Sequence, residues 1–295
     1  MDLIEDMIIK GAKPNTIKRY LFSLKAFSKF IIGPMAEQSQ EQIHSALVML
    51  MQSSRYSSRT KEDIKMAVRR YYRYIGRDIT IPFNRQQGST FTKADLLVPE
   101  DIDAMLSVAS KRDAAAIQLL WDSGIRPQEL LEMNISSINF NAAEVTVEGK
   151  TGPRTIPITS TTLSLLEAYL IAVPRLVPDA KLWVANPKSN HYGRLSGFGL
   201  TKALRSTAGA AGISKNITLY LFRHSAATRD AAVMPEAILR QKFGWSRSSR
   251  MAEVYVHLAA RDLHNYVQEQ QQKYVLLEHI SALEKRLSSI EQKTM

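Results

Sequence analysis

Residues 219–231 read LYLFRHSAATRDA, a mostly apolar stretch with helical spacing. Arg223 and His224 stand side by side within it. Burying a charged side chain costs free energy unless another group compensates the charge. The stretch therefore predicts a buried helix whose cations have partners elsewhere in the chain.

Length, charge and cysteine content restrict the classes of protein to consider. The chain has 295 residues, so two domains are the default expectation. Its formal net charge of +11 favours a polyanionic partner, either nucleic acid or an acidic membrane surface. There is no cysteine, and the six histidines are scattered without metal-ligand spacing. We therefore predict no structural metal and no disulfide.

The N-terminus gives no sign of membrane targeting. It reads MDLIEDMIIKGAK, which is acidic and amphipathic and lacks a basic segment followed by a cleavage site. Along the chain no apolar run approaches the roughly 18 residues of a membrane span. The sequence therefore predicts a soluble intracellular protein without a membrane-spanning segment.

Four helices are predicted over residues 1–76. One begins after a predicted cap at Asn15 and ends at Gly33–Pro34, and another runs through Ile64 to Ile75 and ends at Gly76. Weaker helical patterns at 2–10 and 40–52 complete a small helical domain. The apolar residues of the helix that follows Asn15 are Ile17, Tyr20, Leu21, Leu24, Phe27, Phe30 and Ile31.

The helix that ends at Gly76 has a basic face opposite its apolar one. Residues 1–90 contain 15 Lys and Arg against 8 Asp and Glu, a net charge of +7. A charged face is often only solvated surface, but its single sign here favours DNA binding. The basic residues are Lys61, Lys65, Arg69, Arg70 and Arg73.

An interdomain linker is predicted at residues 77–95, which lack periodicity and contain Pro82 and Gly88. The second domain is predicted over 96–262. In it the helix AAAIQLLWDSG ends at Gly124, and Arg126 stands immediately before Pro127, which begins the next helix. Arg126 is thus predicted on a rigid turn between two helices, a suitable place for a functional cation.

A β-hairpin is predicted next. The segment AAEVTVEGKTGPRTIPIT alternates on both sides of GKTGP, which indicates strands at about 143–148 and 154–158. Lys150 lies in the predicted turn. On spacing alone, a solvated turn lysine is the favoured interpretation of this residue.

Four segments, taken in order, resemble the tyrosine recombinase, or phage integrase-like, family: SGIRPQEL, EGKTGPRTIPI, YLFRHSAAT and FGWSRSSRMAEVYVH. The resemblance spans essentially the whole chain, since NTIKRYLFSLKAFSKF is similar to part of the family's N-terminal core-binding domain. It implies a mainly α fold with a small β-sheet, namely a four-helix core-binding domain followed by an α+β catalytic domain. An archaeal or viral-type Xer or integrase member fits the pattern.

The resemblance also implies a role for the arginines. Arg126 and Arg223 match the two arginines that converge on the scissile phosphate, and Glu129 matches an acidic residue that orients them. A guanidinium suits two non-bridging phosphate oxygens. From spacing alone, an internal Arg–Glu ion pair is an equal alternative for either arginine.

Three further positions match catalytic residues of the family. Tyr255 matches the nucleophile, which forms a 3′-phosphotyrosyl link and frees the 5′-hydroxyl. Lys150 matches the lysine that protonates the leaving 5′-oxygen. Trp245 matches a position held by His or Trp, where it hydrogen-bonds the phosphate or packs on the nucleophile helix, although ordinary core packing is the alternative.

The sequence departs from the family pattern at two places. Tyr220 stands where HxxR usually supplies a histidine, and a tyrosine is a poor proton acceptor at neutral pH. The adjacent His224 is turned about 100° along a helix, so we interpret it as structural, and His257 as local support for the nucleophile helix. The segment between Trp245 and Tyr255 is about one residue longer than expected, which predicts a looser loop.

The C-terminal segment, 263–295, is predicted to be a helix with a short apolar seam. Such a seam packs either between protomers, as the favoured interpretation, or against its own domain. Its residues step by 4, 3, 4 and 3 and are Leu276, Ile280, Leu283, Leu287 and Ile290.

The resemblance implies a site-specific DNA recombinase that acts as a homotetramer on two paired double-stranded sites and passes through a Holliday junction. It implies no cofactor and no membrane partner, a prokaryotic or viral source, and action in the cytoplasm at the nucleoid. Accessory proteins are candidate partners. Two alternatives stay open. One is a type IB topoisomerase-like relaxing enzyme, and the other is a non-catalytic DNA-binding relative, for which Tyr220 is the only support.

Overall fold

A computed structural model describes residues 3–83, 92–149, 152–173, 177, 179–185, 193–260 and 263–294, with side chains in the last helix described at 268 and 271–285. The chain divides into two compact units, Met1–Thr90 and Phe91–Met295. The division falls inside the predicted linker 77–95. Ile79 and Ile81 of that segment are buried in the core of the first unit, so its beginning packs as part of that unit.

The described part of the first unit consists of helices joined by short turns. The helices are α1 (Leu3–Ile9), α2 (Pro14–Phe27), α3 (Gln40–Gln52) and α4 (Ser58–Tyr74). Their apolar faces meet in a core that includes Phe27, Ile43, Leu50, Ile64 and Tyr72. Burial of these large side chains supplies the main stabilisation of the unit.

The predicted cap of α2 at Asn15 was wrong. The helix begins at Pro14, with Lys13 in the cap position. Proline suits the first helical position because its φ is already helical and its missing N–H has no partner to lose there. The regular helix also ends at Phe27, before the predicted stop at Gly33. Leu21, predicted on the apolar face, is 44% exposed.

The described residues of the second unit form nine α-helices and a small sheet. The helices are α5 (Pro99–Val108), α6 (Lys111–Ser123), α7 (Pro127–Glu132), α8 (Ser160–Ile171), α9 (Gly197–Ala210), α10 (Leu219–Ala231), α11 (Glu236–Phe243) and α12 (Met251–Ala260), and a further helix, α13 (Leu263–Thr294), follows them. The strands are β1 (Ile138–Asn139), β2 (Glu144–Gly149) and β3 (Gly152–Pro157). The predicted fold class, mainly α with a small sheet, is confirmed.

The sheet is antiparallel, in the order β1-β2-β3. Val145 pairs with Ile156 and Gly149 with Gly152, so β3 begins two residues before the predicted strand. Side chains on alternate positions, including Val145, Val147 and Ile156, are buried against the helices. Lys150 lies outside the described residues.

The turn after α6 brings three elements close together. Gly124 ends α6 with φ of +57°, a left-handed conformation that favours glycine. A Cβ at this position would lie 2.4 Å from the Phe243 ring and 3.2 Å from Ala226. Only glycine therefore lets α6 end against both α10 and α11.

Among the described helices, none combines the length and apolar character needed to cross a membrane. Likewise, the described residues contain no group of three or more His, Cys, Asp or Glu side chains placed to hold a metal ion.

Candidate active site

Arg126 lies at the tight turn between Gly124 and α7. Its backbone N–H donates to Glu129 Oε2 at 2.7 Å, and its Nη1 donates to Glu129 Oε1 at 2.8 Å. Its Nη2 donates to the carbonyl oxygen of Gly244 at 3.0 Å. The side chain keeps 26% of its surface exposed. The ion pair with Glu129, one of the two alternatives from the sequence, is therefore formed and leaves part of the guanidinium accessible.

Glu129 holds a second arginine that none of the sequence motifs indicated. Arg154 on β3 donates through Nη1 and Nη2 to the two carboxylate oxygens, at 3.0 and 2.7 Å, and through Nε to the carbonyl oxygen of Lys242 at 2.9 Å. Strand alternation was the available signal, because Arg154 lies two positions before buried Ile156 and so shares its face.

The pKa of Glu129 reflects these contacts. Burial alone would raise it, but hydrogen bonds from Arg154 and Arg126 outweigh burial and lower it to about 2. The carboxylate is therefore ionised at neutral pH. Its position between two guanidinium groups fixes both of them.

Arg223 is buried on α10 and is held by neutral groups. Its Nη1 donates to the carbonyl oxygen of Gly124 and its Nη2 to that of Phe243, both at 2.7 Å. Its guanidinium also lies 5.2 Å from the Phe243 ring centroid. Burial, followed by the charge of Arg126, lowers its pKa to about 10, so it stays protonated at neutral pH.

The side chains of this cluster leave positive charge in excess. Arg126, Arg154 and Arg223 carry three positive charges, whereas Glu129 supplies one negative charge. The internal carboxylate thus anchors the cluster without neutralising it. Such a site attracts an anion.

Tyr255 is buried on α12, with only 1% of its surface exposed. Its hydroxyl lies 2.5 Å from His224 Nδ1. Its ring stacks on Trp245, with centroids 5.3 Å apart and planes 3° apart, and Trp245 stacks in turn on Phe243. Burial raises the pKa of Tyr255 to about 12, against the opposing effect of the Arg223 charge. The hydroxyl is therefore protonated and needs a proton acceptor before it can react.

His224 and Tyr220 line the same cavity as Tyr255, but only His224 has a hydrogen bond to the Tyr255 hydroxyl among the described contacts. His224 is rotated by about 100° from Arg223 around the axis of α10. Because α12 packs against α10 on that side, His224 faces Tyr255. Tyr220 is 54% exposed, and its ring centroid is 6.4 Å from that of His224. His257 is exposed on α12.

The loop before α12 is held in place by Arg240. Its Nη1 donates to the carbonyl oxygens of Ser246 and Ser249, at 2.9 and 2.8 Å. The sequence predicts a looser loop here. The two hydrogen bonds instead tie the extra length back to α11.

Six sequence-predicted residues line one open cavity of about 400 Å³, which we call the catalytic cleft. They come from the turn before α7, from α10, from the loop after α11 and from α12. The sequence distance between the first and the last is more than one hundred residues. The six are Arg126, Tyr220, Arg223, His224, Trp245 and Tyr255.

The predicted basic face of α4 is only partly available. Lys65 is buried at 4% exposure and pairs with Glu62 at 2.8 Å, so its prediction as a DNA contact was wrong. It lies three and seven positions before the buried residues Val68 and Tyr72, which places it on the apolar stripe of the helix. Lys61 donates to the carbonyl oxygen of Met51 at 2.8 Å.

Two of the remaining cations of α4 lie against aromatic rings. Arg69 is 5.4 Å from the Phe83 ring centroid and Arg70 is 5.0 Å from that of Tyr20. With Arg73 they line an open cavity of about 610 Å³ in the first unit. Arg69 and Arg73 are exposed.

Comparison with known proteins places this geometry in a family. The phage integrase family profile matches residues 96–262, more than half of the chain. The chain belongs to the phage integrase family. It is a tyrosine-type site-specific recombinase, as the four sequence motifs indicate.

Relatives and solved structures agree with this assignment. Tyrosine recombinase XerC of Haemophilus ducreyi is 25% identical over 265 residues, covering 85% of this chain and 86% of that protein. Tyrosine recombinase XerA of Pyrococcus furiosus is 24% identical, covering 88% and 89%. The fold is similar to that of XerH recombinase bound to a palindromic difH substrate, with a TM-score of 0.66, 19% identity and coverage of 89% and 82%. It also resembles a lambda integrase tetramer bound to a Holliday junction, with a TM-score of 0.64, 16% identity and coverage of 85% and 74%.

Proposed function

We propose that this protein cleaves and rejoins double-stranded DNA at specific sites through a covalent bond between Tyr255 and a 3′-phosphate. The observation that carries the proposal is the common cleft, which is lined by Tyr255, Arg126 and Arg223 together. A nucleophile next to uncompensated positive charge is the arrangement that phosphoryl transfer requires. In this role the anion that the cleft attracts is the scissile phosphate.

The arginines would hold the phosphate and stabilise its transition state. Arg126 and Arg223 both line the cleft, and guanidinium groups match non-bridging phosphate oxygens. Their internal partners, Glu129 and the carbonyl oxygens of Gly124 and Phe243, fix the donors before DNA arrives. Preorganised donors need no rearrangement as charge develops during attack.

The leaving group needs a proton of its own. As Tyr255 Oη bonds to phosphorus, the bond from phosphorus to the 5′-oxygen breaks, and the family resemblance assigns protonation of that oxygen to Lys150. The phosphotyrosyl bond conserves the energy of the phosphodiester. Religation to a partner strand therefore requires neither ATP nor a metal ion.

Assembly on paired sites completes the proposal. We place four protomers on two sites, with exchange through a Holliday junction, action in the cytoplasm at the nucleoid, and accessory proteins as candidate determinants of direction. The fold similarity to a lambda integrase tetramer on a Holliday junction supports this assembly. Exposed apolar residues on α13 also support this assembly, because a second protomer could cover them. Its described seam residues Leu276, Ile280 and Leu283 are 60%, 43% and 57% exposed.

Truncation after Tyr266 tests whether α13 joins protomers. The exposure of its seam residues argues against docking on the same domain, so the full chain should self-associate and the truncated chain should be monomeric. The measurement is the mass of both proteins by sedimentation, with and without DNA. An unchanged mass distribution would contradict the role of α13 in association.

The exposed cations of α4 should contribute to DNA binding by neutralising phosphates. In the double variant Arg69→Ala, Arg73→Ala, the slope of log affinity against log salt should become less steep by about 0.9 for each phosphate that is no longer neutralised. The matched control is Lys65→Ala, because Lys65 is buried and paired with Glu62. Its salt slope should equal that of the wild type, and a reduced slope in this control would mean that Lys65 contacts DNA.

The proposed function is tested by trapping the covalent intermediate. Nicked duplexes tiled across DNA flanking the gene release a short strand after cleavage, so religation fails and a denaturant-resistant adduct accumulates. An adduct at one position supports a site-specific cleaving enzyme. Relaxation of supercoiled DNA by a monomer, without paired sites, would favour the topoisomerase alternative, and intact binding with no adduct would favour the non-catalytic one.

A further inference from the structure

We infer that His224 is the proton acceptor for the Tyr255 hydroxyl during attack on phosphorus, an inference that rests on the proposed function. His224 Nδ1 lies 2.5 Å from that hydroxyl, within the reach required of a general base. The two residues come from different helices, α10 and α12. Their contact is therefore a tertiary one that depends on how these helices pack.

Tyr220 does not serve this purpose. The family resemblance puts an imidazole at this position, whereas this chain has a phenol, whose unperturbed pKa is about 10 and which accepts protons poorly at neutral pH. A hydrogen bond joins the Tyr255 hydroxyl to His224, one helical turn after Tyr220. The chain thus supplies an imidazole to the same cleft from the following turn of the helix.

The surroundings of His224 keep its imidazole neutral. The titratable and charged groups that line the cleft with it are Arg126, Arg223, Tyr220 and Tyr255, of which two are cationic. Burial, followed by the charge of Arg223, lowers the pKa of His224 below its ordinary value of 6.5. A neutral ring with an unprotonated Nδ1 accepts a proton there, provided that the other ring nitrogen carries the hydrogen.

Atoms and charge balance in the proposed step. The Tyr255 Oη–H bond breaks and its proton moves to His224 Nδ1, so that the ring becomes an imidazolium. Oη forms a bond to phosphorus, and the bond from phosphorus to the 5′-oxygen breaks. A lysine ammonium, assigned to Lys150 by the family resemblance, protonates that oxygen. During religation both protons return by the reverse path.

Single-turnover cleavage of a nicked duplex tests the inference. The variants are His224→Gln, whose amide retains hydrogen bonding but accepts no proton, and His224→Ala. Both should form the adduct at least about 10²-fold more slowly than wild type, the usual size of a general-base contribution. Near wild-type rates in His224→Gln would overturn the inference, since hydrogen bonding alone would then suffice. His44→Gln, which alters an exposed histidine on α3, is the matched control and should retain the wild-type rate.

A modified substrate distinguishes two possible roles of His224: removing the proton from Tyr255 or protonating the leaving 5′-oxygen. In a duplex with sulfur in place of the scissile 5′-oxygen, the thiolate leaves without a general acid, because a thiol has a pKa of about 8.5. His224→Gln should stay slow on this substrate, whereas Lys150→Ala should regain most of its rate. Recovery of His224→Gln would assign His224 to the leaving group and overturn the inference.

The pH dependence of cleavage by the wild type tests the inference without any His224 variant, so it applies even if those variants fail to fold. The cleavage rate should fall about tenfold per pH unit below the pKa of His224, because the imidazolium accepts no proton. The pKa of His224 is measured by NMR titration of the free protein, and a cleavage rate that does not fall below that pH would overturn the inference. If wild type forms no adduct, the proposed function fails and takes the inference with it. If wild type forms an adduct and the His224 variants match it, only the inference fails.

Discussion

Tyr255→Phe is expected to abolish the covalent protein–DNA adduct while leaving the fold and DNA binding intact. The substitution removes only the hydroxyl, and a phenyl ring retains the stacking on Trp245. Losing the hydrogen bond to His224 should cost about 1 kcal/mol of folding free energy. Since no phenolic oxygen is left to attack phosphorus, the cleavage rate should fall to background.

The measurement compares wild type and Tyr255→Phe on the same nicked duplex by denaturing electrophoresis, with duplex affinity measured in parallel. Tyr220→Phe is the control, because it removes the other phenol that lines the catalytic cleft. It should still form the adduct. An adduct that persists in Tyr255→Phe and disappears in Tyr220→Phe would move the nucleophile to α10 and refute the assignment.

Glu129→Ala is expected to lower the free energy of unfolding by about 3 kcal/mol or more. The carboxylate is buried between Arg126 and Arg154, and removing one member of a buried ion pair leaves uncompensated charge in a poorly solvated place. Chemical denaturation of both proteins at neutral pH measures the difference. Cleavage should also weaken, because Arg126 loses the partner that orients it.

Glu132→Ala is the matched control. Glu132 also contacts two cations, Lys181 and Arg194, but its side chain is 42% exposed. Exposed ion pairs contribute little because water screens them, so this variant should lose less than about 1 kcal/mol. Equal losses in the two variants would show that burial of the Glu129 cluster has no special energetic effect.

The contribution of Glu129 should also depend on pH. Its pKa is about 2 in the folded protein, below its ordinary value of 4.5. A depressed pKa stabilises the folded state above the unfolded value and loses that effect as pH falls toward the folded value. The stability difference between wild type and Glu129→Ala should therefore be complete above about pH 5 and shrink between pH 4.5 and 2. A difference that stays constant over this range would contradict the assignment.

The order of motifs along the sequence was sufficient to determine the family, the fold class and the identity of most cleft residues. Local patterns also placed several elements well. Gly124 and Pro127 marked the turn that carries Arg126, and alternation around Lys150 marked the hairpin of β2 and β3. Turns and hairpins depend on residues that are close in sequence, so the local sequence pattern is enough to predict them.

Contacts between segments that are distant in sequence could be identified only from the tertiary structure. Helical rotation alone suggested that His224 faces away from the functional site, yet α12 packs on that side of α10 and brings Tyr255 to it. Arg154 reaches Glu129 because β3 pairs with β2, which packs against α7. Lys65 is directed into the interior because it continues the apolar stripe of α4. The sequence specifies the side chains that each element carries, but burial and pairing depend on which other element packs against each face, and that information is spread over the whole chain.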